Sequence, residues 1–353
     1  MAKNERKEQG HPLGIHRVLD TQMVLPQSAE KIDNRLPLYS NEILLSVQKL
    51  NIDAASFVQM EQETQGDKNR IGEIILENCR TRGKQHNRVT GSGGMLIGEV
   101  QQIGSDYRGP LKVKKGDRVA TLVSLTLTPL VIEKIINIDL KTHQVDVQGY
   151  AILFESAIAA DLPKELPEAV SMAVFDVAGA PATVNALSKT GHTVVVIGGG
   201  GKAGLLSCLA ARKKVGKKGR VIAIEPGANA AKSLRELNIC DLVLEIDATH
   251  PIAVFSEIEK VTRGKMADLV VNVASVSNTE MGSILICKPK GRVLFFSMAT
   301  SFTKVALGAE GIASSSQLIF GNGYFPSHAK FSIALLKKCK PLKDLFLKRY
   351  QGN

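Results

Sequence analysis

The stretch Thr193-Val-Val-Val-Ile-Gly-Gly-Gly-Gly-Lys-Ala-Gly204 decides how this 353-residue chain is read. Its β-branched run suits a strand covered on both faces. The run leads straight into Gly199-x-Gly201-x-x-Gly204 and then into Leu205-Leu-Ser-Cys-Leu-Ala-Ala211, which reads as a buried helix. In such a strand–turn–helix the first glycine allows a tight turn, the second lets backbone approach a phosphate, and the third lets the helix pack on the strand. The helix N-terminus then offers N–H groups to an anion. A second apolar strand, Gly219-Arg-Val-Ile-Ala-Ile-Glu225, ends in an acid 21 residues beyond Gly204. A carboxylate about 20 residues on is placed to accept hydrogen bonds from an adenosine ribose. The expected ligand is a nicotinamide dinucleotide, with Gly199, Gly201, Lys202, Ala203, Gly204 and Glu225 as its contacts. Glu225 favours NAD, because a carboxylate repels the extra phosphate of NADP; Lys202, Arg220 and Lys232 nearby keep NADP open.

Outward from this stretch, strands are expected at 193–198, 220–225, 241–246, 269–273 and 292–297, with an edge strand at 318–321, and helices at 202–215, 228–237, 252–261 and 280–286. Alternation of this kind argues for a Rossmann doubly wound parallel sheet. Upstream, 42–48, 95–103 and 117–123 read as strands between turns rich in Gly, Asp and Asn, interrupted by one helical segment bearing Ile71, Ile74, Ile75 and Cys79. Short strands with little helix between them suggest a β-barrel. The fold class is therefore α/β, with a barrel domain over 1–158 and a dinucleotide-binding domain over 159–327. The terminal helix within 328–353, carrying Leu335, Leu336, Leu342 and Phe346, is a candidate to pack back on the barrel.

A chain of this length exceeds what one hydrophobic core organises. The net charge is +11, but basic and acidic residues are interleaved, and with five Tyr and no Trp there is little for bases to stack on. No nucleic-acid partner is expected, and the positive field suits an anionic dinucleotide. No apolar run reaches bilayer-spanning length, and Met1-Ala-Lys-Asn-Glu-Arg-Lys7 lacks the apolar core of a signal peptide. No membrane partner and a cytoplasmic location are therefore expected. The five cysteines and seven histidines are scattered without metal-site spacing, so reduced thiols and no metal are expected.

The stretches Asn41-Glu-Ile-Leu-Leu-Ser-Val-Gln-Lys-Leu-Asn-Ile-Asp53, Gly94-Met-Leu-Ile-Gly-Glu-Val100 and Val113-Lys-Lys-Gly-Asp-Arg-Val119 resemble early strands of the medium-chain dehydrogenase/reductase superfamily. The resemblance implies a GroES-like β-barrel before the Rossmann domain and a dimer built by joining Rossmann sheets. The zinc ligands of the superfamily's alcohol dehydrogenases have no counterpart in the sequence, which implies a zinc-free enzyme. Longer blocks, among them Gly14-Ile-His-Arg-Val18, Val24-Leu-Pro-Gln27, Thr90-Gly-Ser-Gly-Gly-Met-Leu-Ile-Gly98, Asp176-Val-Ala-Gly-Ala-Pro181, Asn278-Thr-Glu-Met281 and Gly308-Ala-Glu-Gly311, look like the L-erythro-3,5-diaminohexanoate dehydrogenases of anaerobic lysine fermentation. That resemblance covers nearly the whole chain. It implies NAD- or NADP-dependent oxidative deamination of a small diamino acid at C3, giving 5-amino-3-oxohexanoate, ammonia and reduced cofactor. The alternatives are a zinc-free quinone- or enoyl-type reductase on the same fold and a nucleotide-sensing protein without turnover.

Oxidising an amine by hydride loss requires the amine to be neutral first, so a base must take a proton. Four acids stand where the two domains are expected to meet. Asp53 follows the first barrel strand, Glu155 sits in Ile-Leu-Phe-Glu-Ser156, Asp176 lies in an apolar run, and Glu310 is flanked by Gly308 and Gly311. A carboxylate among apolar neighbours is costly unless paired, so each is a candidate catalytic residue. The hydroxyl-rich segment 297–304 follows the last main strand at its carboxyl end, where open α/β sheets bind ligands. Ser297, Thr300, Ser301 and Lys304 are thereby candidates for substrate binding. So is Thr90, in a glycine-rich turn that a hairpin would need for conformational reasons alone.

Overall fold

The computed structural model describes residues 6–20, 23–89, 91–321 and 323–351. The chain divides into two compact units, one running to Met172 and including the last residues from Tyr350, the other Ala173–Arg349.

The first unit contains β1 (Ile43–Ile52), α1 (Ala54–Thr64), α2 (Lys68–Arg82), β2 (Gly94–Ile103), β3 (Arg118–Thr121), β4 (Leu130–Asp139), β5 (Gln144–Leu153) and β6 (Ala159–Asp161). The strands form an antiparallel sheet in the order β4-β5-β1-β2-β3-β6. In β1, Ile43, Leu45 and Val47 are buried at alternate positions, and then the set switches to Leu50 and Ile52. The switch follows from register shifts between Val47 and Lys49 against both β2 and β5, since one extra residue turns every later side chain to the other face. These residues pack with Phe57 and Met60 of α1 and with Ile71, Ile75 and Cys79 of α2. Asp67 caps α2 by accepting from the N–H groups of Asn69 and Arg70, and Gly83 ends it at φ 74°, a left-handed conformation that costs glycine little.

Ahead of the sheet, Arg17 and Glu42 form a buried bidentate pair, with Nε and Nη2 both 2.6 Å from the carboxylate oxygens. His16 Nε2 and the Tyr39 N–H also reach this carboxylate, at 2.9 Å each. Burial opposes ionisation of Glu42, but Arg17 and then His16 outweigh it and hold the carboxyl below its usual range.

The second unit is entered through α3 (Glu168–Phe175) and continues with α4 (Gly179–Leu187), β7 (Thr193–Ile197), α5 (Lys202–Val215), β8 (Arg220–Ile224), α6 (Ala228–Leu237), β9 (Leu242–Leu244), α7 (Pro251–Thr262), β10 (Ala267–Asn272), α8 (Glu280–Leu285), β11 (Cys287–Phe295), α9 (Phe302–Gly311), β12 (Gln317–Phe320), α10 (His328–Lys337) and α11 (Lys340–Tyr350). Its strands are ordered β12-β11-β10-β7-β8-β9, and every neighbouring pair is parallel. Counted from β7, this is the 3-2-1-4-5-6 order of the dinucleotide-binding fold, whose order reverses beside the first strand.

The first unit extends past residue 158, because β6 hydrogen-bonds to β3. The terminal helices up to Arg349 belong to the second unit, where Ser332 of α10 donates to the Ala178 carbonyl at 3.0 Å. Residues 302–311, to which the sequence reading assigns no element, form α9. Among the described residues no single helix is long and apolar enough to cross a membrane; α3 and α4 pass such a test only as a bent pair.

Candidate active site

The glycine turn after β7 is shaped by what a Cβ would meet. Gly198 has φ +81°, and a Cβ there would lie 2.8 Å from the backbone of Ala274. The left-handed turn therefore falls at Gly198, one residue before the position expected from the motif. Gly199 instead packs against Ala223, whose Cβ is 2.8 Å from its own notional one. Gly204 has no room for a side chain, since a Cβ would sit 2.1 Å from the Gly198 carbonyl oxygen and 2.6 Å from Gly199 Cα. Gly201 differs: it is the N-cap of α5 at φ −74°, and a Cβ there would meet nothing closer than 3.7 Å. Space thus opens at the residue that begins the helix, where first-turn N–H groups lack intrahelical partners.

Gly200 is clamped from both sides. Its N–H donates to Glu225 Oε2 at 2.9 Å, and its carbonyl accepts from Arg349 Nη1 at 2.8 Å. The other oxygen of Glu225 accepts from the Gly227 N–H at 3.1 Å. Lys202, at the first position of α5, forms an ion pair with Asp176. This arrangement fits a dinucleotide: an open backbone and a helix N-terminus for the pyrophosphate, an acid at the end of the second strand for the ribose, and cations close by. Arg349 lies 149 residues from its partner, and no local sequence signal points to it.

The four candidate acids part company. Asp53 closes β1 and starts α1, accepting from Ser92 Oγ at 3.0 Å while its carbonyl accepts the Phe57 N–H at 2.9 Å. Glu155 accepts from Asn41 Nδ2 at 2.8 Å and from the Arg108 N–H at 3.2 Å, tying two loops together. Asp176 is engaged by Lys202. Glu310 is exposed on the last turn of α9, so its glycine-flanked segment is helical.

The hydroxyl-rich segment mainly serves the backbone. Ser297 Oγ accepts from the Ala299 N–H at 3.1 Å, the Thr300 N–H donates to the Ser297 carbonyl, and Ser301 caps α9 by accepting from the Lys304 N–H. Lys304 Nζ donates to Asn278 Oδ1. Thr90 lies outside the described residues. Sequence reasoning missed Glu280, which is 2% exposed and accepts from the Ser301 N–H at 2.8 Å. It lines a pocket of about 510 Å³ with Thr249, Asn278, Met281, Lys304 and Leu307.

Near Ser92 the first unit holds a second unforeseen cluster. Lys84 is fully buried and donates to the carbonyls of Pro26 and Gln27, at 2.6 and 3.1 Å. Burial, and then Arg82, bring its pKa down to about 8, and the same causes lower His86 to about 4. Among the described residues no group of three His, Cys, Asp or Glu side chains is arranged to hold a metal ion.

Residues 16–163 match the L-erythro-3,5-diaminohexanoate dehydrogenase N-terminal domain. Over 341 residues the chain is 45% identical to L-erythro-3,5-diaminohexanoate dehydrogenase of Acetoanaerobium sticklandii, covering 97% of this chain and 99% of that one. The chain belongs to the L-erythro-3,5-diaminohexanoate dehydrogenase family. The Fusobacterium nucleatum protein of that name is 44% identical over 343 residues, with the same coverage of 97% and 99%. As a member of this family the chain is an oxidoreductase acting on CH–NH2. Among solved structures it is similar to an alcohol dehydrogenase of Thermotoga maritima, with TM-score 0.55 at 16% identity over 86% of this chain and 84% of that one. A mycobacterial quinone oxidoreductase gives 0.53 at 16% identity over 88% and 82%. At such identities the likeness speaks for the fold, GroES-like plus Rossmann, and a dehydrogenase of this fold uses a nicotinamide cofactor.

Proposed function

We propose that this member of the family oxidatively deaminates the C3 amine of L-erythro-3,5-diaminohexanoate with NAD, and that Asp53 takes the ammonium proton. The observation that carries the assignment is the half-buried Asp53 carboxylate held at the end of β1 by the Ser92 hydroxyl. The Ser92 hydroxyl orients the carboxylate and brings no positive charge of its own. Glu155 and Asp176 are bound into loop and ion-pair contacts, and Glu310 is solvated, so none of the three is preferred as base.

The nicotinamide, when bound, supplies the acceptor for the C3 hydride. One diamino acid in its C3-ammonium form, one oxidised dinucleotide and one water then give 5-amino-3-oxohexanoate, ammonium, reduced dinucleotide and one proton. Within the second unit, Gly201 and the first turn of α5 would hold the pyrophosphate and Glu225 the adenosine ribose, which favours NAD over NADP. We further propose a homodimer joined along β12, where Phe320 is 43% exposed and neighbouring Phe302 is 69% exposed.

Asp53→Asn tests the assignment. Turnover should fall by about 10²- to 10⁴-fold, the worth of a positioned general base, while calorimetry shows unchanged NAD affinity. Full turnover in Asp53→Asn would remove Asp53 from the mechanism. Oxidation of the reduced cofactor with an enone, and no reaction with the diamino acid, would favour the quinone- or enoyl-type reading instead.

A further inference from the structure

We propose that Ser56 and Ser92 form a hydroxyl couple that positions the Asp53 carboxylate for the substrate amine, an inference that rests on the assignment of Asp53 above. Ser92 Oγ donates to Asp53 Oδ1 at 3.0 Å and lies 2.6 Å from Ser56 Oγ. A serine has one hydroxyl proton. With that of Ser92 committed to the carboxylate, the short contact is filled by the proton of Ser56, and donation runs from Ser56 through Ser92 to Asp53. Hydroxyls linked in one direction polarise each other and strengthen the last bond of the chain.

Both serines are fixed by their surroundings. Ser56 is fully buried in the first turn of α1. Asn87 links the two segments: its Nδ2 donates to the Ser56 carbonyl at 3.4 Å and to Gln59 Oε1 at 2.8 Å, while its backbone N–H donates to the Ser92 carbonyl at 3.0 Å. The chain after Ser92 is pressed against other backbone. A Cβ on Gly93 would lie 2.6 Å from the Gln85 carbonyl oxygen, and one on Gly94 would lie 2.0 Å from the Asn51 carbonyl oxygen and 2.9 Å from the Asp53 nitrogen. Gly93 and Gly94, which follow Ser92, thus have a use beyond the turn, since their close approach to other backbone brings the serine hydroxyl up to the end of β1. A carboxylate already oriented has less freedom to lose when it meets its substrate.

Ser92→Ala, Ser92→Thr, Ser56→Ala and the double Ser56→Ala/Ser92→Ala, made in the full chain and assayed with 3,5-diaminohexanoate and NAD, test the couple. Ser92→Ala should lower kcat about 10- to 100-fold, as expected for a lost hydrogen bond to a charged group, with the NAD dissociation constant and thermal midpoint unchanged. Ser92→Thr restores the hydroxyl and should recover most of kcat. Ser56→Ala should have a smaller effect and add nothing to Ser92→Ala, because it acts through Ser92. Wild-type kcat in Ser92→Ala, a Ser92→Thr as slow as Ser92→Ala, or multiplicative effects in the double variant would each overturn the couple. If Ser92→Ala lowers the thermal midpoint, the decision passes to Ser56→Ala, whose unchanged kcat would also overturn it. Wild-type turnover in Asp53→Asn removes the base itself, whereas inactive Asp53→Asn beside fully active Ser92→Ala removes the serines alone.

Discussion

Adding one methyl group at Gly201 and at Gly204 should separate the work of the dinucleotide turn into binding and folding. At Gly204 the new Cβ would be 2.1 Å from the Gly198 carbonyl oxygen and 2.6 Å from two atoms of Gly199. All are backbone atoms, so β7 and α5 must move apart by about 1 Å, and overpacking of that kind costs about 1–3 kcal/mol. For a unit of this size the thermal midpoint should drop by about 2–10 °C, and cofactor binding should weaken with it. At Gly201 the backbone is already in a region open to alanine, and the nearest atom to the added Cβ is 3.7 Å away. The small loss of N-cap preference is offset by the lower entropy of the unfolded chain, so stability should stay within about 0.5 kcal/mol. The methyl would instead occupy the space we propose for the pyrophosphate. Gly201→Ala should weaken NAD binding at least about tenfold, or 1.4 kcal/mol. Calorimetric titration with NAD and thermal unfolding of the apo protein give the two readouts. Unchanged NAD affinity in Gly201→Ala, or destabilisation equal to that of Gly204→Ala, would refute the placement of the phosphate against Gly201.

Breaking the buried pair in the first unit by Arg17→Met leaves Glu42 ionised and under-compensated, and should cost about 3–5 kcal/mol in urea unfolding. Arg17→Met combined with Glu42→Leu should cost less than Arg17→Met alone, and the reverse order would mean that the pair is not what the site requires. Because Glu42 titrates low in the folded state, its contribution is present above the ordinary carboxylate range and is lost on acidification. Lys84 acts at higher pH: its folded pKa of about 8 lies below the 10.5 of an ordinary lysine, so between these values the unfolded chain holds the proton that the folded chain has lost. Stability should therefore rise with pH across that window by a component missing in Lys84→Met, and parallel curves for the two proteins would count against it. Arg349→Met removes the cation that braces Gly200 and should weaken NAD binding about tenfold; unchanged calorimetric affinity would reduce Arg349 to a brace.

Legibility of the fold followed the range of the physical signal. α5 and α6 were readable to the residue because their ends are marked locally, by Gly201 and Gly216 for one and by Gly227 and the left-handed Asn238 for the other. β11 was shortened in the reading, beginning at Cys287 rather than near 292. Its register against β10 jumps between Ala267 and Leu269, and the bulged Lys288-Pro-Lys-Gly291 reads as a turn. β4 was missed because it is largely exposed and has two register shifts, which erase the alternation that marks a strand. α9 was missed because Gly308 and Gly311 argue against helix. The structure supplies the reason for Gly308: a Cβ there would strike Met281 Sδ at 2.2 Å, so packing of α9 on α8 overrides propensity.

The candidate site shows the same limit in chemical form. A sequence reveals which charges are costly to bury, but what answers them comes from far along the chain. Asn41 answers Glu155 across 114 residues and Arg349 meets the Gly200 carbonyl across 149, while Ser92 answers Asp53 across 39. The kind of answer separates the candidates. Lys202 brings a full positive charge to Asp176, so an incoming ammonium there would compete with a cation already in place. Asn41 and a backbone N–H bring geometry to Glu155, but they spend it joining two loops. Ser92 brings orientation to Asp53 without charge, at the end of a strand whose bulge has already reset which side chains face the core. A base for an alkylammonium needs a fixed direction, and the direction that Ser92 gives Asp53 is why we propose Asp53 over the other three.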